Sequence, residues 1–236
     1  SIALTYPTLL GAICGVNEHG LAISLNQAMC TDTRPRRPAV MVSLVVQDCL
    51  DHCRTVADAV ERILATPVAS GSFVTLVDAA GDRATVEVSA TKKRVRRPDE
   101  PSVMASFNKY RVPEMEDVEI PVGARTTGLF SGYDVHRCNV TREARFAQVM
   151  AGAQSRRWDH ESIDGLLCDH EDGPGSQDTI CRHSDPLGET IMSAIVDPEA
   201  RTLYVRYGKP CEGERLEIAL QPLTTHTAAP PLRATA

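Results

Sequence analysis

The chain of 236 residues carries a net charge of −6, and 42% of its residues are hydrophobic. This length and composition suit one sizeable globular domain with a buried core. The acidic balance disfavours nucleic acid as a partner, and no apolar run approaches the roughly 18 residues that a membrane span needs.

The first half of the chain alternates strand and helix patterns. Residues 1–28 predict two or three strands, with a turn at Asn17–Gly20 in which Gly20 can take a positive φ. Apolar residues at helical spacing predict a helix over 39–53. Thr55–Asp58 has the pattern of a capping box, which would begin a second helix that Pro67 ends. Residues 72–78 and 84–88 predict a hairpin.

Five basic residues between positions 92 and 97 follow this hairpin and form a cluster of positive charge. No aromatic residue lies among them, which argues further against a nucleic-acid surface. We expect a solvated loop here. The functional alternative is a patch for a phosphorylated substrate such as coenzyme A.

The second half predicts short helices among strands. We expect helices over 141–150 and 161–168. Strands are expected over 102–107, 178–182, 189–196, 202–207 and 214–219. Residues 221–236, rich in Thr, Ala and Pro, are expected to be a disordered tail. The order of elements favours an α+β domain over residues 1–220, with two packed antiparallel sheets covered by helices.

The eight cysteines include no Cys-x-x-Cys pair, and no histidine lies at zinc-finger spacing from any of them. We therefore expect reduced thiols, no metal and no bound cofactor, in a cytoplasmic protein. His170 and His183 are interpreted as structural residues, because nothing in the sequence places a thiolate beside His183.

Three polar residues end predicted strands, where a pocket can form: Asn26, Asn108 and Arg182. Amide N–H groups near a carbonyl can stabilise a tetrahedral oxyanion. A guanidinium beside them can bind a carboxylate through two hydrogen bonds or orient a neighbouring group. Taken singly, an asparagine at a strand end is more often a turn or cap residue.

The segment Gly15–Asn26, with the pattern Gly-x-Asn-x-x-Gly-Leu-Ala-x-x-x-Asn, resembles the N-terminal-nucleophile (Ntn) hydrolases. The closest branch is the penicillin acyltransferase family (acyl-coenzyme A:6-aminopenicillanic-acid acyltransferase). Thr55–Val60, Val77–Ser89, Thr179–His183 and Val205–Cys211 also match the pattern of that family, so that the resemblance runs from about Thr5 to Leu220.

The resemblance implies an αββα sandwich and acyl transfer or amide hydrolysis through a covalent acyl-enzyme. In this family a self-processed N-terminal cysteine attacks, and its own α-amine serves as base. Asn26 and Asn108 match the amides that orient substrate or stabilise the oxyanion, and Arg182 matches the arginine near the nucleophile. The implied partner is a small-molecule amide or acyl thioester, with acyl-CoA as a possible co-substrate. A homo-oligomer is also possible.

The sequence departs from the family at the nucleophile and at Asn108. The nucleophile hairpin of the family precedes the segment that matches Gly15–Asn26, and none of the cysteines here occupies its place. At the asparagine that matches Asn108, many relatives continue Asn-His, whereas Lys109 follows here.

Three explanations of the nucleophile remain open. The cysteine lies upstream or on another chain, or Ser1 is itself an N-terminal nucleophile. The third possibility is a catalytically inactive relative that binds a ligand or partner.

Overall fold

The protein is described here by a computed structural model that covers residues 1–33, 38–98, 103–127, 132, 134, 136–153, 158–171, 173–183 and 188–221. A six-stranded antiparallel sheet runs in sequence order. Its strands are β1 (Ile2–Leu4), β2 (Cys14–Val16), β3 (Ala22–Gln27), β4 (Ser72–Val77), β5 (Arg83–Val88) and β6 (Lys93–Arg96). A second antiparallel sheet contains β7 (Met192–Asp197), β8 (Thr202–Tyr207) and β9 (Arg215–Ala219).

The described residues also contain four α-helices: α1 (Val42–His52), α2 (Val56–Ala65), α3 (Arg137–Gly152) and α4 (His160–Leu167). Helices α1 and α2 pack on one face of the first sheet. Strand β7 contacts β2 and β3 of that sheet, and β8 contacts β2. Helix α4 packs on β7. The expected α+β sandwich of two antiparallel sheets with helices is therefore confirmed. None of the described helices is long and apolar enough to cross a membrane.

The main apolar core lies between α1, α2 and the first sheet. It contains alternate residues of the strands, such as Val74 and Leu76 of β4, together with the inward side of both helices. The capping box at Thr55–Asp58 is confirmed, because the Thr55 side chain accepts a hydrogen bond from the Asp58 N–H and Asp58 accepts one in return from the Thr55 N–H. Helix α2 therefore begins at the position that the sequence predicted.

Buried polar side chains fix the two helices against the sheet. Asn17 donates from Nδ2 to the carbonyls of Leu50 and Cys53 at the end of α1, over 3.0 and 2.8 Å. Its Oδ1 accepts from two backbone N–H groups of its own turn. Asp78 accepts from the Val56 N–H at the start of α2, over 3.0 Å. Both side chains satisfy helix-terminal groups that the helices cannot satisfy alone.

The turn between β2 and β3 meets the turn between β7 and β8. Gly20 has the expected positive φ of 77°, and a Cβ there would lie 2.7 Å from the Pro198 carbonyl oxygen. Arg201 donates from Nε to the Glu18 carbonyl over 2.8 Å. The two sheets are thus joined at this end of the sandwich, and only glycine fits the close approach.

Several expected elements differ in the structure. Residues 103–107 and 178–182 are not strands, and the remainder of the first of these predictions lies outside the described residues. The expected solvated loop at the basic cluster is instead β6, whose cations are bound internally. Lys93 donates to the Ile63 carbonyl near the end of α2, and Arg96 pairs with Glu87. The expected tail from residue 222 onward also lies outside the described residues.

Candidate active site

Asn26 lies near the end of β3 on the face that looks away from α1 and α2. Leu21, Ile23 and Leu25 belong to the helix-side core, and successive side chains on a strand point to opposite faces. Asn26 is directly opposite Phe73 on β4, and Phe73 packs in a second cluster on that other face. Among the described residues the Asn26 side chain makes no hydrogen bond, so its amide is available to a ligand.

Asn108 is held beside Asn26. Its Nδ2 donates to the carbonyl of Gln27, the residue after Asn26, over 2.8 Å. The Asn108 backbone has a φ of 51°, a left-handed conformation that asparagine tolerates better than most residues. An amide nitrogen carries two hydrogens, and the second remains for another acceptor. The structure therefore brings the neighbourhoods of Asn26 and Asn108 together.

A buried glutamate on β5 binds the backbone of the segment that carries Asn108. Glu87 is fully buried on β5, and its carboxylate accepts from the Arg111 and Val112 N–H groups over 2.9 and 3.1 Å. Arg96 donates to Glu87 over 3.2 Å and to the Ala105 carbonyl over 2.8 Å. The sequence did not predict that Glu87 binds this segment, because the alternation of apolar and polar residues in a β-strand does not distinguish a buried carboxylate from an exposed one.

Tyr110 also joins this segment to the first sheet. Its hydroxyl donates to the Val88 carbonyl over 2.7 Å, and its ring lies 5.1 Å from that of Phe73. Burial raises the pKa of the Tyr110 phenol, so the hydroxyl stays protonated as a donor at neutral pH. These contacts attach the segment that carries Asn108 to the first sheet.

Arg182 lies at the same end of the sandwich as Asn26. Its backbone N–H donates to Thr190 Oγ1 over 2.9 Å, and its carbonyl accepts from the Thr190 N–H. Thr190 precedes the start of β7, whereas the far end of β7 leads to the turn that meets Glu18. Asn26 is likewise remote from that turn on β3. The meeting of Arg182 with the two asparagines in one cleft stays a prediction.

Ser1 lies at the opposite end. Its amino group is 3.8 Å from a carboxylate oxygen of Glu18, and its Oγ donates to Asp51 over 3.2 Å. Ile2 pairs with Val16, which pairs with Ala22 at the start of β3. A rise of about 3.3 Å per residue then separates the levels of Ser1 and Asn26 by roughly 16 Å along the strands.

Cys14 and Cys181 are buried thiols, and either could act as an internal nucleophile only as a thiolate. Burial raises the pKa of Cys14 to about 11 and that of Cys181 to about 11. Both groups are therefore protonated and weakly nucleophilic at neutral pH. The structure places two cysteine sulfurs beside His183, which the sequence did not indicate: its Nε2 lies 3.5 Å from Cys181 Sγ and 3.2 Å from Cys211 Sγ.

A depression of about 760 Å³ lies between α3 and α4, lined by residues that include Arg145, Trp158 and Asp169. Its lining includes none of Asn26, Asn108 and Arg182. A second depression, of about 680 Å³, is lined by Lys109 and Tyr110 next to Asn108. Neither depression is lined by an asparagine or glutamine side chain, so neither offers the paired amide donors of an oxyanion site.

The fold is that of the Ntn hydrolases. The structure matches an arginine-to-leucine variant of conjugated bile acid hydrolase from Clostridium perfringens with a TM-score of 0.52 and 14% identity, covering 93% of this chain and 80% of that one. It also matches a cysteine-to-alanine mutant of the same hydrolase, with a TM-score of 0.50, 12% identity and the same coverage. A third match is penicillin V acylase from Agrobacterium tumefaciens, with a TM-score of 0.47, 14% identity and 89% of this chain covered.

The family model of acyl-coenzyme A:6-aminopenicillanic acid acyl-transferase matches residues 2–212. The chain belongs to this family. It spans 66% of the penicillin V acylase chain, slightly under two thirds. No match was found among curated protein sequences. The matching family model is named for acyl transfer, and the matches to solved structures show the Ntn fold.

Proposed function

We propose that this protein transfers or hydrolyses acyl groups through a covalent acyl-enzyme formed at the end of the sandwich that holds Asn26, Asn108 and Arg182. The observation that supports the proposal is the hydrogen bond from Asn108 Nδ2 to the backbone carbonyl of Gln27, the residue that follows Asn26. The substrate is a small-molecule amide or an acyl thioester, and acyl-CoA is one donor of this chemistry. Membership of the acyl-transferase family supports both substrate types.

In the proposed reaction a cysteine sulfur attacks the substrate carbonyl carbon and gives its proton to a free α-amine. The new carbon–sulfur bond leaves a negative charge on the carbonyl oxygen, which the Asn26 and Asn108 amides stabilise. The carbon–nitrogen or carbon–sulfur bond to the leaving group then breaks, and the ammonium returns the proton to that group. Water or an amine finally attacks the thioester and regenerates the thiol.

We assign the nucleophile to a cysteine outside this sequence, upstream or on another chain, in preference to Ser1. The position of Ser1 beside Glu18 supports this choice, because the serine lies at the end of the sandwich remote from Asn26. The raised pKa values of Cys14 and Cys181 support it as well. Arg182 is proposed to bind a substrate carboxylate or to orient the nucleophile through its guanidinium.

The basic residues in and beside β6 contribute little to a coenzyme A site in this proposal. Lys92 pairs with Asp117, Arg96 with Glu87 and Arg97 with Asp82. A cation that already has a carboxylate partner binds a phosphate less strongly than one without. Recognition of an acyl-CoA donor is therefore assigned to its acyl group and thioester.

The proposal is tested by removing the Asn108 donor in the full-length protein. Asn108→Asp keeps the shape and the tolerance for a left-handed backbone, but a carboxylate cannot donate to an oxyanion. We expect turnover of an acyl thioester or amide to fall by roughly 10²–10³-fold. Asn108→Gly removes the side chain without backbone strain and should lose activity similarly. Unchanged turnover in both variants would remove Asn108 from the chemistry.

Peptide mapping after trapping with a β-lactam or an acyl thioester identifies the nucleophile. A labelled cysteine supports the proposal, and a label on Ser1 replaces the cysteine mechanism with the serine one. A protein that binds these compounds without any label or turnover is a ligand-binding relative, which contradicts the proposed catalysis.

A further inference from the structure

A second group of reactive side chains lies where the loop before β7 meets the turn between β8 and β9. His170, Cys181, His183 and Cys211 each place one nitrogen or sulfur donor so that all four donors lie within 4.8 Å of one another. The His170 and His183 rings are 4.5 Å apart and nearly perpendicular, at 87°. The four residues come from two separate parts of the chain, so helix or strand periodicity does not explain their meeting.

The distances fit a tetrahedral metal site. With bonds of about 2.3 Å to sulfur and about 2.0 Å to nitrogen, a sulfur and a nitrogen ligand of zinc lie about 3.5 Å apart. His183 Nε2 is 3.5 Å from Cys181 Sγ and 3.2 Å from Cys211 Sγ. These separations leave room for a cation at the centre of the group.

Hydrogen bonds within the group do not satisfy its members. A neutral imidazole nitrogen has one lone pair and accepts one hydrogen bond, whereas two thiols approach His183 Nε2. The buried Nε2 of His170 has no hydrogen-bond partner among the described residues. Buried polar atoms without partners are rare in native proteins and point to a bound ion or water. A metal ion would engage the whole group at once.

The surrounding backbone holds the group in place. The Cys181 N–H donates to the Asp169 carbonyl and the His183 N–H to the Ser176 carbonyl, each over 3.1 Å. Gly175, with a φ of 84°, lies against the His183 ring so closely that a Cβ would be 2.6 Å from Cδ2. Such close packing fixes the ring orientation, as metal-binding imidazoles require.

We propose that His170, Cys181, His183 and Cys211 bind one zinc ion. Two sulfur and two nitrogen donors in a tetrahedral arrangement suit zinc among common divalent ions. Four protein ligands leave no open position for substrate, so the ion is structural. Zinc converts both cysteines to thiolates, and their two protons go to solvent.

The ion would attach the loop of residues 168–183 to the second sheet through Cys211. Arg182 lies between two of the ligands in sequence, so zinc would also fix its backbone. This consequence rests on the proposed function, whereas the metal site itself does not. The sequence expectation of no metal depended on the spacing of cysteines and histidines along the chain, and that spacing does not reveal these four ligands.

The test measures metal binding without any substrate. The full-length chain is stripped with a chelator under a phosphine reductant, given zinc chloride, and titrated against a chromophoric chelator. We expect one zinc per chain. Cobalt(II) in its place should show thiolate charge-transfer bands and the visible bands of a tetrahedral ion. Failure to retain zinc in the reduced, folded chain would overturn the proposal.

Variants identify the ligands. Cys211 is exposed, so Cys211→Ser should fold, and His170→Ala provides a second removal. Each should weaken zinc binding by at least about 100-fold, since it removes one of four ligands. Cys168→Ser is the matched control, because Cys168 lies nearby without belonging to the group. Equal affinity in Cys211→Ser and the control would contradict the assignment, as would a Cys181–Cys211 disulfide in the chain as purified.

Discussion

The two sheets of the sandwich differ in what covers them. The first sheet and its helices α1 and α2 share an apolar cluster of 18 buried residues. In the second sheet, the buried hydrophobic residues are Ile195, Leu203 and Val205, and every residue of β9 is exposed. Burial of apolar surface is the main source of folding free energy. The first sheet is therefore stabilised chiefly by its core, and the second needs other contacts.

Those other contacts are polar. Arg206 on β8 donates from Nε to both oxygens of Asp164 on α4, each over 2.9 Å. Arg145 on α3 donates to both oxygens of Asp169 over 2.9 and 2.7 Å. The histidine–cysteine group belongs to the same half of the molecule, which comprises the second sheet, α3, α4 and the loop before β7. Changes in pH and metal content should therefore affect the stability of the second half of the molecule more than that of the core under the first sheet.

The largest effect expected is on the free energy of unfolding when a core leucine is shortened. Leu76 and Leu203 are both fully buried, but only Leu76 belongs to the large cluster. We expect Leu76→Ala to cost about 3–5 kcal/mol and Leu203→Ala about 2–3 kcal/mol, because a thin region collapses more easily around a cavity. Urea unfolding followed by circular dichroism measures both values.

The single tryptophan, Trp158, adds a local probe, because it lies at the depression between α3 and α4. In Leu203→Ala its fluorescence should change at lower urea than the circular dichroism does, if the second half opens first. Equal losses of stability in the two leucine variants, with coincident transitions, would break the comparison.

A smaller loss of stability should distinguish Asn17, a structural asparagine, from Asn108, a proposed functional one. Asn17 is buried and makes four hydrogen bonds, so Asn17→Ala should cost about 2–3 kcal/mol through unsatisfied backbone groups. The bond from Asn108 is exposed, so Asn108→Gly should cost about 1 kcal/mol or less while activity falls. Thermal and urea unfolding, read beside turnover per folded molecule, distinguish them. A large stability loss in Asn108→Gly would make it a structural residue.

Local patterns predicted the elements of the first half because neighbouring residues determine them. The capping box of α2 depends on Thr55 and Asp58 alone, and the alternation in β3 gives the face of Asn26. The sequence did not predict that Asn17 and Asp78 bind the ends of helices, since their partners lie 33 and 22 residues away. The spacing of residues in the sequence predicts the faces of one helix or strand, but it does not predict which helices and strands contact one another.

The segment 178–182 shows the same limit at the site. Thr179, Ile180 and Cys181 are typical of a strand, but in the structure they turn so that Cys181 and His183 face Cys211. No local sequence pattern predicts the contact between His183 and Cys211, which lies in a turn 28 residues further along the chain. Motif order was sufficient to indicate the family, whereas the ligand group required the fold.

The last prediction concerns acid. The hydrogen bonds from Arg206 hold the pKa of Asp164 below its usual range. A carboxyl group whose pKa is lowered by folding contributes stability above its unfolded pKa, about 3.9, and loses it as the pH falls through the folded value.

Asp164→Asn should therefore cost about 1 kcal/mol at pH 7, a small effect because the pair is only partly buried. The cost should shrink as the pH falls below about 4, because the Asp164 carboxyl first takes up a proton in the unfolded chain and then, at its lowered pKa, in the folded protein. Trp158 fluorescence during urea unfolding at several pH values measures it, and added salt should reduce it. Asp82→Asn, which breaks an exposed pair of the first sheet with Arg97, is the matched control and should leave the Trp158 transition unchanged. A pH-independent cost in Asp164→Asn would mean that α4 is held to β8 by packing and not by charge, and the contrast between the two sheets would then lose its electrostatic part.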